Sequence, residues 1–318
     1  MLIANEGALA ELRRFGEALS GLKRPQSAAL RQALARTGLF VQIEPVKPER
    51  LVVAVDGSYQ TLGAAYPYFL TLVQAVALTL PPRQPLVRHR LFSPLFPEER
   101  VKLETRAGGT LPVEVAAESR VRELMAEAEL AVASEAARQF GGPLVLLDGG
   151  FVHFKARAGA LFKELASALA ENGGLLVGVI EDVSSRLLDE AVADSWVKDR
   201  PAYDREILYG CLAVGEAFIL PPEVQKDEGI STVFARFAAH PQPVAFDFLT
   251  AQKKEIFWLL GVLRALTPFD GRGVPAVIDI ADRYVRLTAA EVEQLVAAAV
   301  PPEIRELFLT AHRLRRAL

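Results

Sequence analysis

The sequence contains a single cysteine, and this scarcity excludes several kinds of site. Cys211 alone cannot form an internal disulfide or a cysteine-ligated zinc site. The most apolar stretch, residues 68–80, is also too short to cross a bilayer, which needs about 20 apolar residues. The first residues lack the basic region and the long apolar core of a secretory signal. We therefore expect a cytoplasmic protein with no membrane partner.

Several well-known catalytic motifs are missing as well. The sequence has no Walker A motif, no Gly-x-Gly-x-x-Gly after a strand and no Gly-x-Ser-x-Gly elbow. Its four histidines show no metal-ligand spacing, and its net charge of −3 gives no overall basic footprint for coating nucleic acid. With 318 residues, 51% apolar and 24% charged, the composition is typical of a globular enzyme. Carboxylates remain as the carriers of any chemistry.

Two aspartates follow short apolar runs that are typical of buried strands. Residues 51–55 lead into Asp56-Gly57, and residues 144–147 lead into Asp148-Gly149. Side chains at the carboxyl ends of such strands meet at the mouth of an open α/β sheet. Two carboxylates there would suit Mg²⁺ or Mn²⁺. Taken alone, each Asp-Gly pair is explained equally well as an ordinary turn.

The remaining pattern predicts helices around these strands. Residues 113–140 form a strong helix on which Glu123 and Glu127 share a face, although a solvated face explains them too. Residues 144–180 read strand, helix, strand, as in a βαβ unit. The polar, basic residues 83–112 indicate a hairpin or loop that either contacts phosphates or is simply solvated. We find no internal repeat or clear linker and expect one domain.

Three motifs resemble those of the NurA nucleases. They are Val-Asp-Gly-Ser at 55–58, Leu-Leu-Asp-Gly-Gly at 146–150 and Gly-Val-Pro-Ala…Ala-Asp-Arg at 273–283. The resemblance implies an α/β fold with an RNase H-like mixed central sheet flanked by helices. It also implies a single domain over 1–318. In that domain a helical arm (1–45) precedes a core with insertions (46–287), and C-terminal helices (288–318) follow.

The resemblance further implies a site that holds Mn²⁺ or Mg²⁺, with two ions expected. Asp56 and Asp148 take the central positions, a glutamate of the 113–140 helix completes the inner set, and Glu123 is the second choice for that glutamate. The predicted metal ligands, which are also the predicted catalytic residues, are Asp56, Glu127, Asp148 and Asp282. The predicted DNA contacts are Lys155, Arg157 and Arg186.

The function implied by the resemblance is a metal-dependent DNA nuclease that acts as a 5′→3′ exonuclease and single-strand endonuclease. It would serve DNA end resection in double-strand break repair, as a homodimer with a HerA-type hexameric ATPase. One departure leaves alternatives open, because Glu181-Asp182 stands where the family often has lysine. Asp182 is either a further ligand or, as we favour, part of a loop cap. An inactive scaffold that binds an ATPase or a DNA end, and an enzyme acting on RNA or DNA junctions, are the alternative functions.

Overall fold

A computed structural model of the chain describes residues 6–20, 25–108, 112–193 and 202–310. Residues 1–5 and 21–24 of the predicted N-terminal arm, and residues 311–318 of the predicted C-terminal helices, lie outside the described residues. Among the described residues, no helix combines the length and apolar character that a bilayer crossing requires.

Strands of very different length build one mixed sheet at the centre of the described chain. In spatial order the strands run β1-β7-β8-β9-β6-β5-β2-β3-β4. The pairs β2–β5 and β5–β6 are parallel, and the other pairs are antiparallel. The strands are β1 Leu39–Gln42, β2 Val52–Gly63, β3 Phe69–Leu80, β4 Leu86–Phe92, β5 Leu144–Asp148, β6 Leu175–Ile180, β7 Glu216–Ile219, β8 Ile230–Arg236 and β9 Val244–Leu249.

Helices cover both faces of this sheet. The α-helices are α1 Glu6–Ser20, α2 Ser27–Leu34, α3 Pro97–Ala107, α4 Val113–Gln139, α5 Phe151–Glu171, α6 Asp204–Leu208, α7 Ile256–Leu266, α8 Ala276–Val285, α9 Ala289–Ala299 and α10 Pro302–Phe308. The predicted helix over 113–140 corresponds to α4, and the predicted βαβ unit is β5-α5-β6. The basic segment 83–112 contains β4 and α3 rather than only a hairpin or loop.

The alternation of side chains along the central strands creates two cores. Val53 and Val55 of β2 pack with residues of α4 and α5 on one face. Val52 and Ala54 point to the opposite face and pack with α7 and α8. A third cluster lies under α2 and α6. Asp56 continues the second set, so its side chain lies on the α8 face of the sheet.

One predicted boundary is wrong. The first apolar strand was expected to end at Asp56, but β2 continues for seven more residues to Gly63. Residues 57–63 lack an apolar run and contain two glycines, yet they pair in register with β3 along their whole length. Asp56-Gly57 therefore lies inside a strand and is not a turn. The second motif behaves as predicted, because β5 ends at Asp148.

Candidate metal centre

Asp56 and Asp148 are neighbours across a parallel strand pair. Val55 of β2 is in register with Leu147 of β5, and each aspartate is the next residue of its strand. Adjacent strands lie about 4.8 Å apart, and residues in register point to the same face. Asp56 is buried, with 8% of its surface exposed, whereas Asp148 stays open to solvent at the end of β5. The two carboxylates predicted to form the centre of the site are thus brought together.

Burial makes both carboxylates hard to ionise, and nearby acids add to the effect. Burial raises the pKa of Asp56 to about 7, the charges of Asp148 and Asp282 add to this effect, and the Gly57 amide opposes it. That amide donates to Oδ1 of Asp56 at 2.7 Å. Although Asp148 is open on one side, desolvation by the surrounding protein raises its pKa to about 6, and the nearby Arg272 charge opposes the shift. Bringing a cation between these carboxylates would reverse both shifts.

A third carboxylate, Glu129 of α4, approaches from the other face of the sheet. It is almost completely buried, and burial together with the charges of Asp56 and Asp148 raises its pKa well above the usual value. The Glu129 side chain lies against Gly57, where an added Cβ would stand only 2.9 Å from both Cγ and Cδ of the glutamate. Glycine follows Asp56 because the glutamate occupies the space that a side chain would need.

The two glutamates chosen from the sequence lie elsewhere. Oε1 of Glu127 accepts from Nη1 of Arg120 at 2.9 Å. Glu123 accepts from Arg106 at 2.7 Å and also pairs with Arg120. The structure therefore places Glu127 and Glu123 in a surface ion-pair network, and it places Glu129 beside the aspartates.

The sequence does contain a signal for Glu129. Its neighbours three and four positions away on α4 are all apolar: Met125, Ala126, Val132 and Ala133. No other glutamate of α4 has apolar residues at all four of these positions. A lone acid on an otherwise apolar helix face must be buried with the rest of that face, and burial without a function is costly.

Asp282 stands at the edge of this group. It lies on α8, which packs against β2 and β3, and its charge raises the pKa of both Asp56 and Asp148. Its Oδ2 also accepts from Nη2 of Arg286 at 3.1 Å, one turn further along the helix. The side chain is partly exposed. Its role as the last ligand remains a prediction.

The three predicted DNA contacts have different surroundings. Lys155 is already engaged, because its Nζ lies 2.5 Å from Oδ2 of Asp227 and 3.0 Å from the carbonyl of Glu228. Arg157 is half-buried, and its charge lowers the pKa of Glu129, which places it beside the carboxylates. Arg186 is exposed. Of the three, Arg157 is the residue whose charge acts on a carboxylate of the candidate site.

Asp247 of β9 anchors the helix that follows Asp148. This fully buried carboxylate accepts from the backbone amide of Phe151, the first residue of α5, at 3.0 Å. It also accepts from Oγ1 of Thr232 at 2.7 Å and pairs with Lys226 at 3.0 Å. A Cβ at Gly150 would lie 3.1 Å from Oδ2 of Asp247, which explains glycine at this position. No motif or local pattern in the sequence singles out Asp247.

The acidic pair after β6 binds two arginines. Oε2 of Glu181 lies 2.6 Å from Nη1 of Arg272, and Oδ1 of Asp182 lies 3.2 Å from Nη1 of Arg205. Asp182 is strongly exposed, and its assignment to a loop cap instead of a metal site remains a prediction.

The donor set fits a hard divalent cation. Asp56, Glu129 and Asp148, which we call the candidate metal centre, offer only carboxylate oxygens, the ligands that Mg²⁺ and Mn²⁺ prefer. Within the described part of the chain, no three acidic, histidine or cysteine side chains are already gathered in ligand geometry. Raised pKa values at all three positions nevertheless mark carboxylates that lack sufficient positive charge. A bound cation would supply that charge.

A comparison with protein families shows to which family the chain belongs. A family model described as the NurA domain matches residues 50–287, three quarters of the chain. The chain belongs to the NurA family. Its match includes Asp56, Glu129, Asp148 and Asp282. No curated protein matches the sequence.

Solved NurA structures share the fold. The NurA nuclease from Sulfolobus solfataricus is 14% identical, with a TM-score of 0.58, over 94% of this chain and 96% of that one. A NurA crystallised with manganese is 10% identical, with a TM-score of 0.53, over 93% of this chain and 99% of that one. The predicted α/β class, a mixed sheet flanked by helices as in RNase H-like nucleases, is confirmed.

Proposed function

We propose that this NurA protein is a metal-dependent DNA nuclease whose centre is formed by Asp56, Glu129 and Asp148. One observation supports the proposal: within a NurA domain, Asp56 and Asp148 are neighbours across a parallel strand pair, and the buried Glu129 lies against Gly57, next to Asp56. All three carboxylates have raised pKa values. Retaining three such groups without a cation would destabilise the protein for no benefit. Phosphodiester hydrolysis by bound metal ions is the chemistry that uses such a group.

The proposed cofactor is Mn²⁺ or Mg²⁺, with two ions per site. Asp56, Glu129 and Asp148 would hold the metal, and Asp282 would complete the set from the solvent side. Bound metal supplies Lewis acidity and an activated water. The chain supplies the rest: Gly57 leaves room for Glu129, its amide orients Asp56, and Arg157 offsets part of the negative charge.

The proposed substrate is DNA, both single-stranded and at duplex ends. We propose 5′→3′ exonuclease and single-strand endonuclease activity in DNA end resection during double-strand break repair. Membership in the NurA family supports this substrate class.

A cleavage assay tests the proposal directly. Linear duplex DNA, single-stranded DNA and RNA are incubated with Mn²⁺ and either the wild-type protein or Asp56→Asn, which keeps the side-chain shape. We expect cleavage of DNA by the wild type and a loss of roughly 10³-fold in the variant, since several kcal/mol of metal-derived stabilisation disappear. DNA binding without cleavage would instead identify a scaffold, and preferential cleavage of RNA would identify a ribonuclease.

The proposed partners are a second copy of the chain and a HerA-type hexameric ATPase. We expect a solution mass of about 69 kDa by light scattering, twice the 34.6 kDa of one chain. The dimer should co-elute with the ATPase hexamer in size-exclusion chromatography. A mass of one chain at micromolar concentration would contradict the homodimer, and separate elution would contradict the ATPase partnership.

A further inference from the structure

Arg272 links three elements at the edge of the candidate metal centre. It lies in the loop between α7 and α8, and its Nη1 is 2.6 Å from Oε2 of Glu181, at the end of β6. Its Nη2 pairs with Asp279 on the first turn of α8. The charge of Arg272 also acts on Asp148 more strongly than that of any other cation. Val179, two residues before Glu181, is in register with Asp148, so the contact with Glu181 holds the guanidinium near the open side of the site.

The surroundings of the site are strongly acidic. Besides the three carboxylates of the candidate metal centre, Glu181, Asp279 and Asp282 contribute negative charge around Asp148. A phosphodiester that approaches these groups is repelled unless a cation meets it. The strand end after β6 offers only the acids Glu181 and Asp182. Bound metal would offset the charge of the centre itself, so a side chain that meets the phosphate outside the centre has to come from another element.

The Arg272 side chain is exposed and has N–H donors available to bind a phosphate. Its side chain is 53% exposed and lines a cavity of about 630 Å³ together with Glu181, His240 and Gln242. A guanidinium carries five N–H donors in a planar fork. The two ion pairs engage one nitrogen each, so donors remain for the two non-bridging oxygens of a phosphate.

The other arginines near the carboxylates are less suited to this contact. Arg157 is half-buried on α5, and its charge acts on the buried Glu129. Arg286 pairs with Asp282 one turn away on its own helix, so this contact does not fix it relative to another element as the contacts of Arg272 do.

We propose that Arg272 binds the phosphodiester of the DNA strand as it enters the candidate metal centre, and that Glu181 and Asp279 position its guanidinium for this contact. The inference rests on the proposed nuclease function. It assigns to the loop between α7 and α8 a substrate-binding role beside that of the metal ligands. In this role the acid at position 181 is a positioning residue for Arg272 and does not bind metal.

DNA binding without cleavage separates this role from catalysis. Fluorescence anisotropy with labelled single-stranded DNA in Ca²⁺ compares the wild type with Arg272→Ala, Arg272→Lys and the control Arg205→Ala. Arg205 forms a similar exposed pair with Asp182, one residue beyond Glu181. We expect Arg272→Ala to weaken binding about 10- to 100-fold, as for a lost charge-assisted contact. Its salt slope should fall by about 0.7. Arg272→Lys should bind at an intermediate level, and Arg205→Ala within about twofold of wild type.

A phosphate scan distinguishes a direct contact from a structural clamp. Single neutral methylphosphonates are placed at successive positions of the strand. At one or two positions the wild type should lose binding while Arg272→Ala loses nothing further. Equal losses in both proteins at every position, or unchanged binding by Arg272→Ala, would overturn the proposal.

These experiments distinguish failure of the Arg272 inference from failure of the proposed nuclease function. Arg272-dependent binding by a wild type that does not cleave in Mn²⁺ would refute the nuclease and leave the phosphate contact standing. Cleavage by the wild type with an unaffected Arg272→Ala would refute the phosphate contact alone. No DNA binding by the wild type would refute both.

Discussion

Asp56 and Glu129 are carboxylates that folding removes from water while placing them near other acids. Burial is the main cause that raises the pKa of each, so both carboxylates are hard to ionise. Gly57 lies between them and permits their approach, because any larger residue would collide with Glu129. Such an arrangement is suited to metal binding. A metal-binding role predicts how single substitutions at these residues change activity and stability.

The first claim separates two glutamates of one helix. Glu129→Gln should lower Mn²⁺-dependent cleavage of single-stranded DNA by roughly 10³-fold, because it removes a metal ligand while keeping the volume. Glu127→Gln is the matched control and should change the rate by less than about threefold, since Glu127 pairs with Arg120 near the surface. Initial rates at saturating metal provide the measurement. Equal losses in both variants would contradict the assignment of Glu129.

The second claim concerns stability without metal. The pKa of Asp56 is raised from 3.8 to about 7, so the folded state binds more protons than the unfolded state between these values. In EDTA this group should therefore cost stability progressively as the pH rises from about 4 to 7. Relative to wild type, Asp56→Asn should gain up to about 4 kcal/mol across this window. Denaturation curves at several pH values measure the difference, and saturating Mn²⁺ should abolish the gain. If the stability difference between Asp56→Asn and the wild type does not vary with pH, the raised pKa of Asp56 is refuted.

Single residues of the site were predictable only in part. Asp56 and Asp148 follow apolar strands, and parallel pairing brings them together as expected. Glu127 was chosen because it shares a face with Glu123, but that face is the solvated one. The choice depended on which face of α4 meets the sheet, and the apolar neighbours of Glu129 were the signal that we did not use. Asp247 was missed because its partners on α5 and β8 are distant in sequence.

At the level of elements, the start of α5 fixes the position of Asp148, the second aspartate of the site. Asp148 ends β5, and α5 begins three residues later with its first amide bound by Asp247. A helix that begins so close to the end of a strand leaves Asp148 little freedom. The carboxylate of Asp247 therefore acts on the site through the backbone.

This anchor can be tested by removing its charge. Asp247→Asn should destabilise the fold by about 3–5 kcal/mol, because it leaves Lys226 paired with a neutral group in a buried environment. The control Asp227→Asn breaks the more exposed pair with Lys155 and should cost much less than Asp247→Asn. Urea denaturation measures both. A cost for Asp247→Asn no larger than that of the control would show that Asp247 is not an anchor.

Elements with strong local patterns were predictable, and elements that depend on pairing were not. The alanine- and glutamate-rich helix α4 agrees with the predicted helix over 113–140. The second half of β2 was missed because residues 57–63 lack an apolar run. Its strand conformation depends on pairing with β3. Helix α3, inside the basic segment, was missed for the similar reason that its buried residues are few.

At the scale of the whole molecule, one sheet is shared by the cores on its two faces. Val53 and Val55 belong to one core, and Val52 and Ala54 of the same strand belong to the other. Neither core can lose its packing without exposing the strands of the other. We therefore propose that the described residues fold as one unit, and the single domain remains a prediction.

Unfolding should therefore occur in one transition. Leu130→Ala on α4 and Leu260→Ala on α7 remove fully buried side chains from opposite faces. Each should shift the same transition by about 2–5 kcal/mol. Leu12→Ala on α1, where the leucine is 65% exposed, should shift it by less than about 0.5 kcal/mol. Fluorescence and circular dichroism during urea titration provide two probes. Two separate transitions, each sensitive to one substitution, would show that the faces unfold independently.

The position of the metal tests the whole assignment most directly. Crystals of the wild-type protein soaked in Mn²⁺ and measured at the manganese edge should show anomalous density at the carboxyl end of β5. Oxygens of Asp56, Glu129 and Asp148 should lie within about 2–2.6 Å of it. Density bound by Glu127, density remote from Asp56 and Asp148, or no density at saturating Mn²⁺ would contradict the assignment.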